Sequence, residues 1–177
     1  WTHNLNYLTS PLEAEARTAL SQGHVERASA TKHPLPDDCV DAFVTDPPYY
    51  DAIPYADLSD FFIVWLKRSL EGSEMVKNFA SLSPKDEECV VDEIKGHDAA
   101  FFERTMGKSL TEGRRLTRPS GVGIVVFAHK STAGWEAQLQ AMIDAGWVIT
   151  GSWPIDTERE GRTRANSSAA LASSVHL

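Results

Sequence analysis

A short apolar segment that runs directly into an acid and two prolines is the feature that most constrains the fold. Residues 40–45 read VDAFVT and are followed by Asp46, Pro47 and Pro48. Apolar and β-branched residues in so short a run favour a strand. Proline fixes its own φ, lacks an N–H and pushes the preceding residue out of the helical region. The strand is therefore predicted to end in a loop that is extended and stiff before any ligand binds.

The predicted loop combines hydrogen-bond acceptors with an aromatic surface. Asp46 supplies a carboxylate, Pro47 a backbone carbonyl and Tyr49 a flat ring. These groups suit a planar ring that carries an NH₂ group, such as a nucleobase. The lone pair of that nitrogen is delocalised into the ring, so acceptors are needed to turn it toward an electrophile. We therefore predict alkyl transfer to a base that is flipped out of its duplex and stacked on Tyr49, with Asp46 facing a cleft.

Three blocks of the sequence resemble one known family. They read TDPPYYDAIPYADLSDFFIVWL at residues 45–66, SWPIDTE at residues 152–158 and ALASSV at residues 170–175. The tetrapeptide Asp-Pro-Pro-Tyr is the catalytic quartet of the S-adenosylmethionine-dependent amino-methyltransferases. Together the blocks are similar to the adenine-specific DNA methylases whose full-length members also carry a zinc ribbon. The resemblance covers most of the chain from Ser29 onward.

The resemblance implies methyl transfer from S-adenosyl-L-methionine to the exocyclic amino group of adenine in DNA, with cytosine as the second choice of base. It implies catalytic roles for Asp46, Pro47, Pro48 and Tyr49. Cofactor binding is assigned to Ser29, Ala30 and Asp46, and substrate binding to Tyr50, Asn166 and Ser167. The implied partners are DNA and other parts of the parent protein or a modification complex. RNA methyl transfer, and a non-catalytic nucleic-acid-binding or scaffolding role, stay open as alternatives.

The Gly-rich cofactor loop of the family pattern does not occur in this sequence. In the resembled family, a Phe-x-Gly-x-Gly loop follows the first strand of the sheet and lies upstream of the catalytic quartet. The glycines of this chain are scattered, and Gly121 and Gly123 precede a predicted strand instead of following one. We therefore interpret residues 1–177 as the C-terminal part of one methyltransferase catalytic domain. Finding the loop in the upstream sequence would favour the enzyme, and its absence would favour the non-catalytic module.

Composition agrees with one compact domain and argues against several other classes. The chain has 177 residues, of which 42% are hydrophobic. No signal peptide is visible, and no segment approaches the ~20 consecutive apolar residues of a membrane span. Cys39 and Cys89 lie far apart, so neither a disulfide framework nor a metal site is indicated. The net charge of −8 argues against a main DNA-gripping surface on this segment. We expect a cytoplasmic protein with no metal ion and no membrane partner.

Hydrophobic periodicity predicts an alternation of helices and strands. Helices are predicted at residues 11–20, 57–72, 98–116 and 135–146, and strands at residues 24–28, 40–45, 123–128, 147–150 and 170–177. Residues 72–96 are predicted to be a long loop or a helical excursion. The order implies an α/β, Rossmann-like methyltransferase fold that is incomplete in this chain. Its sheet is expected to be mostly parallel, with an antiparallel last strand implied by the resemblance. Ligands then belong at the carboxyl ends of the strands, where Asp46 falls.

Two of the predicted helices carry apolar stripes that are expected to form the core. Asp57 is predicted to cap the first of them, whose stripe consists of Leu58, Phe61, Phe62, Trp65 and Leu66. The residues of the second that are predicted to face inward are Phe102, Met106, Leu110 and Gly113. The run GIVVFA at residues 123–128 is expected to be a central strand that is buried on both faces.

Overall fold

Helices and strands alternate along the chain in the computed structural model, which describes residues 2–18, 23–50, 53–77, 82–129, 131–155 and 174–176. The α-helices in these ranges are α1 (Thr2–Thr18), α2 (Tyr55–Ser69), α3 (Glu74–Lys77), α4 (Ala99–Leu116) and α5 (Thr132–Asp144). The strands are β1 (Val40–Thr45), β2 (Thr117–Phe127), β3 (Trp153–Ile155) and β4 (Ser174–His176). A short 3₁₀-helix spans Glu93–Lys95.

The four described strands form one mixed sheet in the order β1-β2-β4-β3. β1 and β2 are parallel, and Thr45 lies opposite Val125 near their carboxyl ends. β4 is antiparallel to both β2 and β3. The predicted α/β class and the antiparallel last strand are therefore confirmed. The expectation of a mostly parallel sheet is not met by the described strands, because only β1 and β2 pair in parallel.

Helix α4 supplies much of the core. Asp98 caps its first turn, because its carboxylate accepts a hydrogen bond of 2.7 Å from the Phe101 N–H. The buried residues of α4 are the four that were predicted to face inward: Phe102, Met106, Leu110 and Gly113. The first three pack with Val125 of β2 and Met142 of α5. Spacings of three and four residues place these side chains on one face of a helix, so the prediction for α4 is confirmed.

At Gly113 the backbone of α4 lies directly on the sheet. A Cβ at this position would lie 2.6 Å from a ring carbon of Phe43, whereas packed carbon atoms stay about 3.5–4.0 Å apart. Gly107 belongs to the same helix, and a Cβ there would meet no heavy atom within 4 Å. We expect Gly113→Ala to destabilise the fold by about 1–3 kcal/mol through overpacking, and Gly107→Ala to stabilise it by about 0.5–1 kcal/mol. Urea unfolding of both variants measures these changes, and a stabilised Gly113→Ala would contradict the packing of α4 on Phe43.

Two of the predicted strands are not formed. Residues 24–28 are irregular, and Val25 is 96% exposed, because no described strand lies beside them. Residues 147–150 are also irregular. There the Trp147 side chain packs against the core and donates a hydrogen bond of 3.0 Å from Nε1 to the Leu110 carbonyl. Trp147 is thus used for packing on α4, whereas Val148 is 83% exposed. The chain joins the sheet only at β3.

The boundaries of two other elements differ from the prediction. β2 begins at Thr117 and not at residue 123, because its first part already pairs with β1, where Val40 lies opposite Thr117. α1 begins well before the predicted start, so Pro11 lies inside the helix. A proline removes one helical hydrogen bond without necessarily ending the helix. Gly146, with a φ of 86°, follows α5 as predicted, since a left-handed residue ends a helix readily when it is glycine.

The apolar stripe of α2 is exposed, which contradicts the prediction that it forms core. Its members are between 43% and 63% exposed: Leu58, Phe61, Phe62, Trp65 and Leu66. We call these five residues the α2 stripe. Helical spacing gathers apolar side chains on one face, but only a neighbouring element can bury that face. Among the described residues no element covers it.

Polar contacts attach the first turns of α2 to the segment that follows it. The Ala56 N–H donates a hydrogen bond of 2.7 Å to Glu88, and Asp60 forms an ion pair of 2.6 Å with Lys85. Asp57 does not cap the helix as predicted, because Pro54 occupies that position. The carboxylate of Asp57 instead lies 2.5 Å from Nζ of Lys95. These contacts place the α2 stripe away from the core.

One face of the two parallel strands is open as well. Val44 is 65% exposed, Val122 58% and Ile124 38%, whereas Val125 and Phe127 are buried. Side chains alternate between the two faces of a strand, so α4 and α5 cover only the face that carries Val125 and Phe127. The expectation that β2 is buried on both faces is wrong for the described structure.

Candidate functional site

The Asp-Pro-Pro-Tyr loop follows β1 at the carboxyl edge of the two parallel strands. Thr45, the last residue of β1, lies opposite Val125, and β2 ends shortly afterwards at Phe127. Adjacent parallel strands point their carboxyl ends to the same edge, which is where open α/β sheets bind ligands. Asp46 and Phe127 therefore come to one edge of the sheet, as predicted for Asp46 from the sequence.

Asp46 and Tyr49 form a hydrogen-bonded pair within the loop. The Tyr49 hydroxyl donates to Oδ1 of Asp46, which is itself exposed, while Pro47 and Pro48 are half-buried. The rings of Tyr49 and Phe127 meet in a T-shaped contact, with centroids 6.0 Å apart. Burial, together with the hydrogen bond to Asp46, raises the pKa of the Tyr49 hydroxyl well above its ordinary value. Tyr49 is therefore a donor to Asp46 over the whole neutral range.

The raised pKa of Tyr49 predicts its behaviour at high pH. Because the folded-state pKa lies above the ordinary value of 10.0, Tyr49 stabilises the fold fully below pH 10.0. This contribution is lost as the pH rises through the folded-state pKa. Tyrosinate absorbance of the wild type minus that of Tyr49→Phe isolates this residue from the other tyrosines. A difference titration with its midpoint near the ordinary value would contradict the burial and the bond to Asp46.

Tyr50 adopts a backbone conformation that is rare for an aromatic residue. Its φ is 58°, in the left-handed region that residues with a Cβ seldom occupy. The Tyr50 carbonyl accepts a hydrogen bond of 3.0 Å from the Val91 N–H, which holds this conformation. Its ring lies T-shaped against Phe102 at 5.4 Å and against His129 at 5.6 Å. Tyr50, predicted to contact the substrate, is thus packed between α4 and the end of β2.

The cleft predicted in front of Asp46 is not one of the three cavities described for this structure. Asp46 is exposed and lines none of these cavities. β1 pairs with β2 on one side and with no described strand on the other. A crevice at the carboxyl end of a sheet needs walls on both sides. The Asp46 carboxylate consequently meets solvent and the Tyr49 hydroxyl.

Ser29 and Ala30, which were predicted to bind the cofactor, line a cavity of about 680 Å³. Phe101 and Lys108 of α4 line the same cavity, and Asp46 does not. The structure therefore brings Ser29 and Ala30 together but does not place them with Asp46 in one cavity. Asn166 and Ser167, predicted to contact the base, lie outside the described residues.

Residues on β2 and α5 that sequence reasoning did not assign to a site also lie near this edge. Phe127 was treated only as part of a buried strand, although its position at the end of a strand next to β1 places it beside the loop. Gln138 is 3% exposed. A signal for Gln138 was present in the sequence, because it is three residues after Trp135 and four before Met142, on the inward face of the predicted helix.

Within the described ranges, no group of three or more His, Cys, Asp or Glu residues could hold a metal ion. Cys39 and Cys89 are both free. Burial raises the pKa of the Cys89 thiol to about 11, so it is protonated at neutral pH and is a poor nucleophile or ligand. The same part of the chain contains no helix that combines the length and the apolar character needed to cross a membrane.

Comparison of the chain with models of known protein families, with curated proteins and with solved structures finds no match.

Proposed function

We propose that this chain forms part of the catalytic domain of a DNA methyltransferase, which transfers a methyl group from S-adenosyl-L-methionine to the exocyclic amino group of adenine. The observation that carries the proposal is the position of Asp46-Pro47-Pro48-Tyr49 at the carboxyl end of a parallel strand, beside the end of β2. The antiparallel β4 between β2 and β3 supports a Rossmann-like methyltransferase sheet, because the family resemblance implies an antiparallel last strand inserted by a hairpin.

In the proposed reaction, the loop activates a nitrogen that is a poor nucleophile. The Asp46 carboxylate and the Pro47 carbonyl each accept a hydrogen bond from the NH₂ group of the base, which draws the nitrogen toward tetrahedral geometry. For this, Asp46 must release the Tyr49 hydroxyl. The freed Tyr49 ring stacks on the base, a contact worth about 1–3 kcal/mol. As the nitrogen bonds to the methyl carbon, the bond between that carbon and the sulfonium sulfur would break, and S-adenosyl-L-homocysteine would leave as a neutral thioether. The nitrogen then loses one proton, which the Asp46 carboxylate would accept.

The described residues fit one part of the cofactor. The cavity beside Ser29 and Ala30, at about 680 Å³, falls within the range of about 300–1,000 Å³ that is usual for small-molecule sites. Phe101 gives it an aromatic wall and Ser29 a hydroxyl, a combination that suits an adenosine. We assign adenosine binding to these residues and not to Asp46. Bound S-adenosyl-L-methionine would supply an electrophilic methyl group.

A non-catalytic scaffolding role is the second candidate, and the exposed apolar surfaces favour it. The α2 stripe is exposed, and so are Val44, Val122 and Ile124 on the open face of the sheet. Contiguous apolar surface on a domain often marks a site of protein interaction. Under this alternative, the Asp46 loop is a rigid surface turn whose carboxylate meets only solvent and Tyr49.

Transfer of tritium from labelled S-adenosyl-L-methionine to nucleic acid distinguishes the candidates. The protein in its natural length is incubated with duplex DNA, single-stranded DNA and RNA, and each is digested to nucleosides for chromatography. We expect the tritium label in N6-methyladenine from DNA. Label in N4-methylcytosine, or label in RNA only, would reassign the substrate. Intact cofactor binding without transfer to any of the three would refute the methyltransferase and favour the scaffolding role.

A further inference from the structure

A cavity between α4 and α5, lined on one side by Tyr50, is not used by the proposed methyl transfer. Its volume is about 240 Å³, and neither Asp46 nor Tyr49 lines it. We propose that this cavity binds a neutral, planar heteroaromatic ring system of purine size that carries hydrogen-bond acceptors on its edge. The proposed methyl transfer depends on Asp46, Pro47 and Tyr49, whereas this cavity is lined by Tyr50 and by residues of α4 and α5. The two proposals can therefore fail separately.

Aromatic rings form the walls of the cavity. Tyr50 meets Phe102 and His129 in T-shaped contacts, and the rings of Phe127 and His129 lie at an interplanar angle of 7°. Rigid aromatic walls select flat ligands, since well-oriented ring pairs add about 0.5–1.5 kcal/mol beyond the burial of area. An apolar cavity of about 150 Å³ holds one benzene ring. The larger volume of this cavity therefore suits a bicyclic ring.

Gln138 gives the cavity a polar group that lacks a partner. The residue lines the cavity and is 3% exposed, and its Nε2 is buried with no hydrogen-bond partner among the described residues. A buried donor that stays unpaired costs about 1–3 kcal/mol. A ring nitrogen or a carbonyl oxygen on a ligand would remove this penalty, whereas a hydrocarbon would not.

His129 offers a second donor at the same cavity. Its Nδ1 accepts a hydrogen bond of 3.1 Å from the Ser131 N–H, which favours the tautomer that carries its proton on Nε2. The Gly134 backbone also packs closely on the ring near this atom, where a Cβ would lie 2.1 Å from Nδ1. Because both neighbours fix the ring, its orientation is set before a ligand binds.

The polar residues around the cavity define the charge and the hydrogen-bonding pattern of the ligand. Gln138 and His129 both present donors, so the ligand must present acceptors. Glu103 also lines the cavity, and its carboxylate disfavours a phosphate or a carboxylate by like-charge repulsion. A neutral purine meets these requirements, either as a free small molecule or as a base of a single strand.

The backbone of Tyr50 supports a ligand-binding role for this cavity. A left-handed conformation at a residue other than glycine costs of order 1–3 kcal/mol, and such residues cluster at active sites and ligand clamps. In this case the strain is maintained by the bond from the Val91 N–H and places the Tyr50 ring against Phe102 and His129.

Calorimetric titration of the whole chain with hypoxanthine, and separately with a single-stranded oligoadenylate, tests the proposal. We expect Gln138→Leu to weaken hypoxanthine binding by about tenfold, because one buried hydrogen bond is lost. Gln140→Leu is the matched control, since Gln140 lies on the same helix but is exposed and bonded to Asp144, and it should bind as the wild type does. Gly134→Ala should also weaken binding by displacing the His129 ring. Thermal unfolding of the variants verifies that they are folded.

Each outcome of the titration either supports or overturns the proposal. Binding of hypoxanthine that depends on Gln138 supports a free ligand, and Gln138-dependent binding of the oligonucleotide alone supports a base within a strand. No binding of either probe by the wild type would overturn the proposal. Indole has no hydrogen-bond acceptor on its edge, so binding of indole as tight as that of hypoxanthine would also overturn the proposal. Binding that is lost in Asp46→Ala but kept in Gln138→Leu would show that the ligand binds at the Asp46 loop. This result would overturn the site at Gln138 without affecting the proposed methyl transfer.

Discussion

Asp46→Ala is expected to lower the rate of methyl transfer to DNA by about 10²–10³-fold, the loss that follows removal of one preorganised polar group in other active sites. The variant removes the carboxylate that would accept a hydrogen bond from the amino group of the base. The Pro47 carbonyl and the Tyr49 ring remain. Cofactor affinity should change little, because the cavity beside Ser29 and Ala30 does not include Asp46.

The measurement combines tritium transfer to DNA with calorimetric titration of S-adenosyl-L-methionine, using the protein in its natural length. Asp41→Ala is the matched control. Asp41 is an exposed carboxylate on the same strand, but it lies away from the loop in an ion pair of 2.5 Å with Arg118. We expect the control to transfer methyl groups at the wild-type rate. Wild-type-like transfer by Asp46→Ala would refute the role assigned to this residue, and a parallel loss of cofactor binding would show that Asp46 acts on the cofactor instead.

Leu110→Ala is expected to destabilise the fold by about 2–5 kcal/mol, as large-to-small changes in a packed core do. Leu110 is 1% exposed and packs with Met106 and Val125. Phe62→Ala removes a larger side chain from the α2 stripe, yet Phe62 is 62% exposed. We expect this second change to cost less than about 1 kcal/mol, because an exposed ring loses little burial.

Urea unfolding of both variants measures the contrast between α4 and α2. The measurement is repeated at low and high protein concentration, since self-association would stabilise any surface that it buries. If Phe62→Ala lowers the free energy of unfolding as much as Leu110→Ala does at every protein concentration, the exposure of the α2 stripe is contradicted. If the loss of unfolding free energy in Phe62→Ala grows with protein concentration, a second copy of the chain covers the α2 stripe.

Features that depend on residues close together in the sequence could be predicted from the sequence. The six residues of β1 were predicted with their observed bounds, because an apolar run stopped by two prolines has few other conformations. The inward face of α4 was predicted residue by residue, since Asp98 and the spacing of its apolar side chains specify where the helix starts and which side it buries. The position of Asp46 at the carboxyl end of a strand follows from the same local signals.

Features that depend on what lies beside an element were decided by the tertiary structure. Residues 24–28 were predicted to form a strand, but a strand requires a partner, and the described sheet has none at that position. The α2 stripe has the spacing of a core helix and is exposed, because polar contacts to Glu88, Lys85 and Lys95 attach the helix by other residues.

The same division applies to the candidate sites. A stiff acidic loop with an aromatic residue could be predicted from the sequence alone, because proline stereochemistry and residue chemistry are local properties. Three features could not be predicted and depend on how the chain packs: Tyr49 bonds to Asp46, Ser29 and Ala30 line a cavity that Asp46 does not line, and Gln138 is buried with no partner among the described residues. Such pairings join residues that are distant in sequence or depend on side-chain orientation, and both are set by how the elements pack against one another.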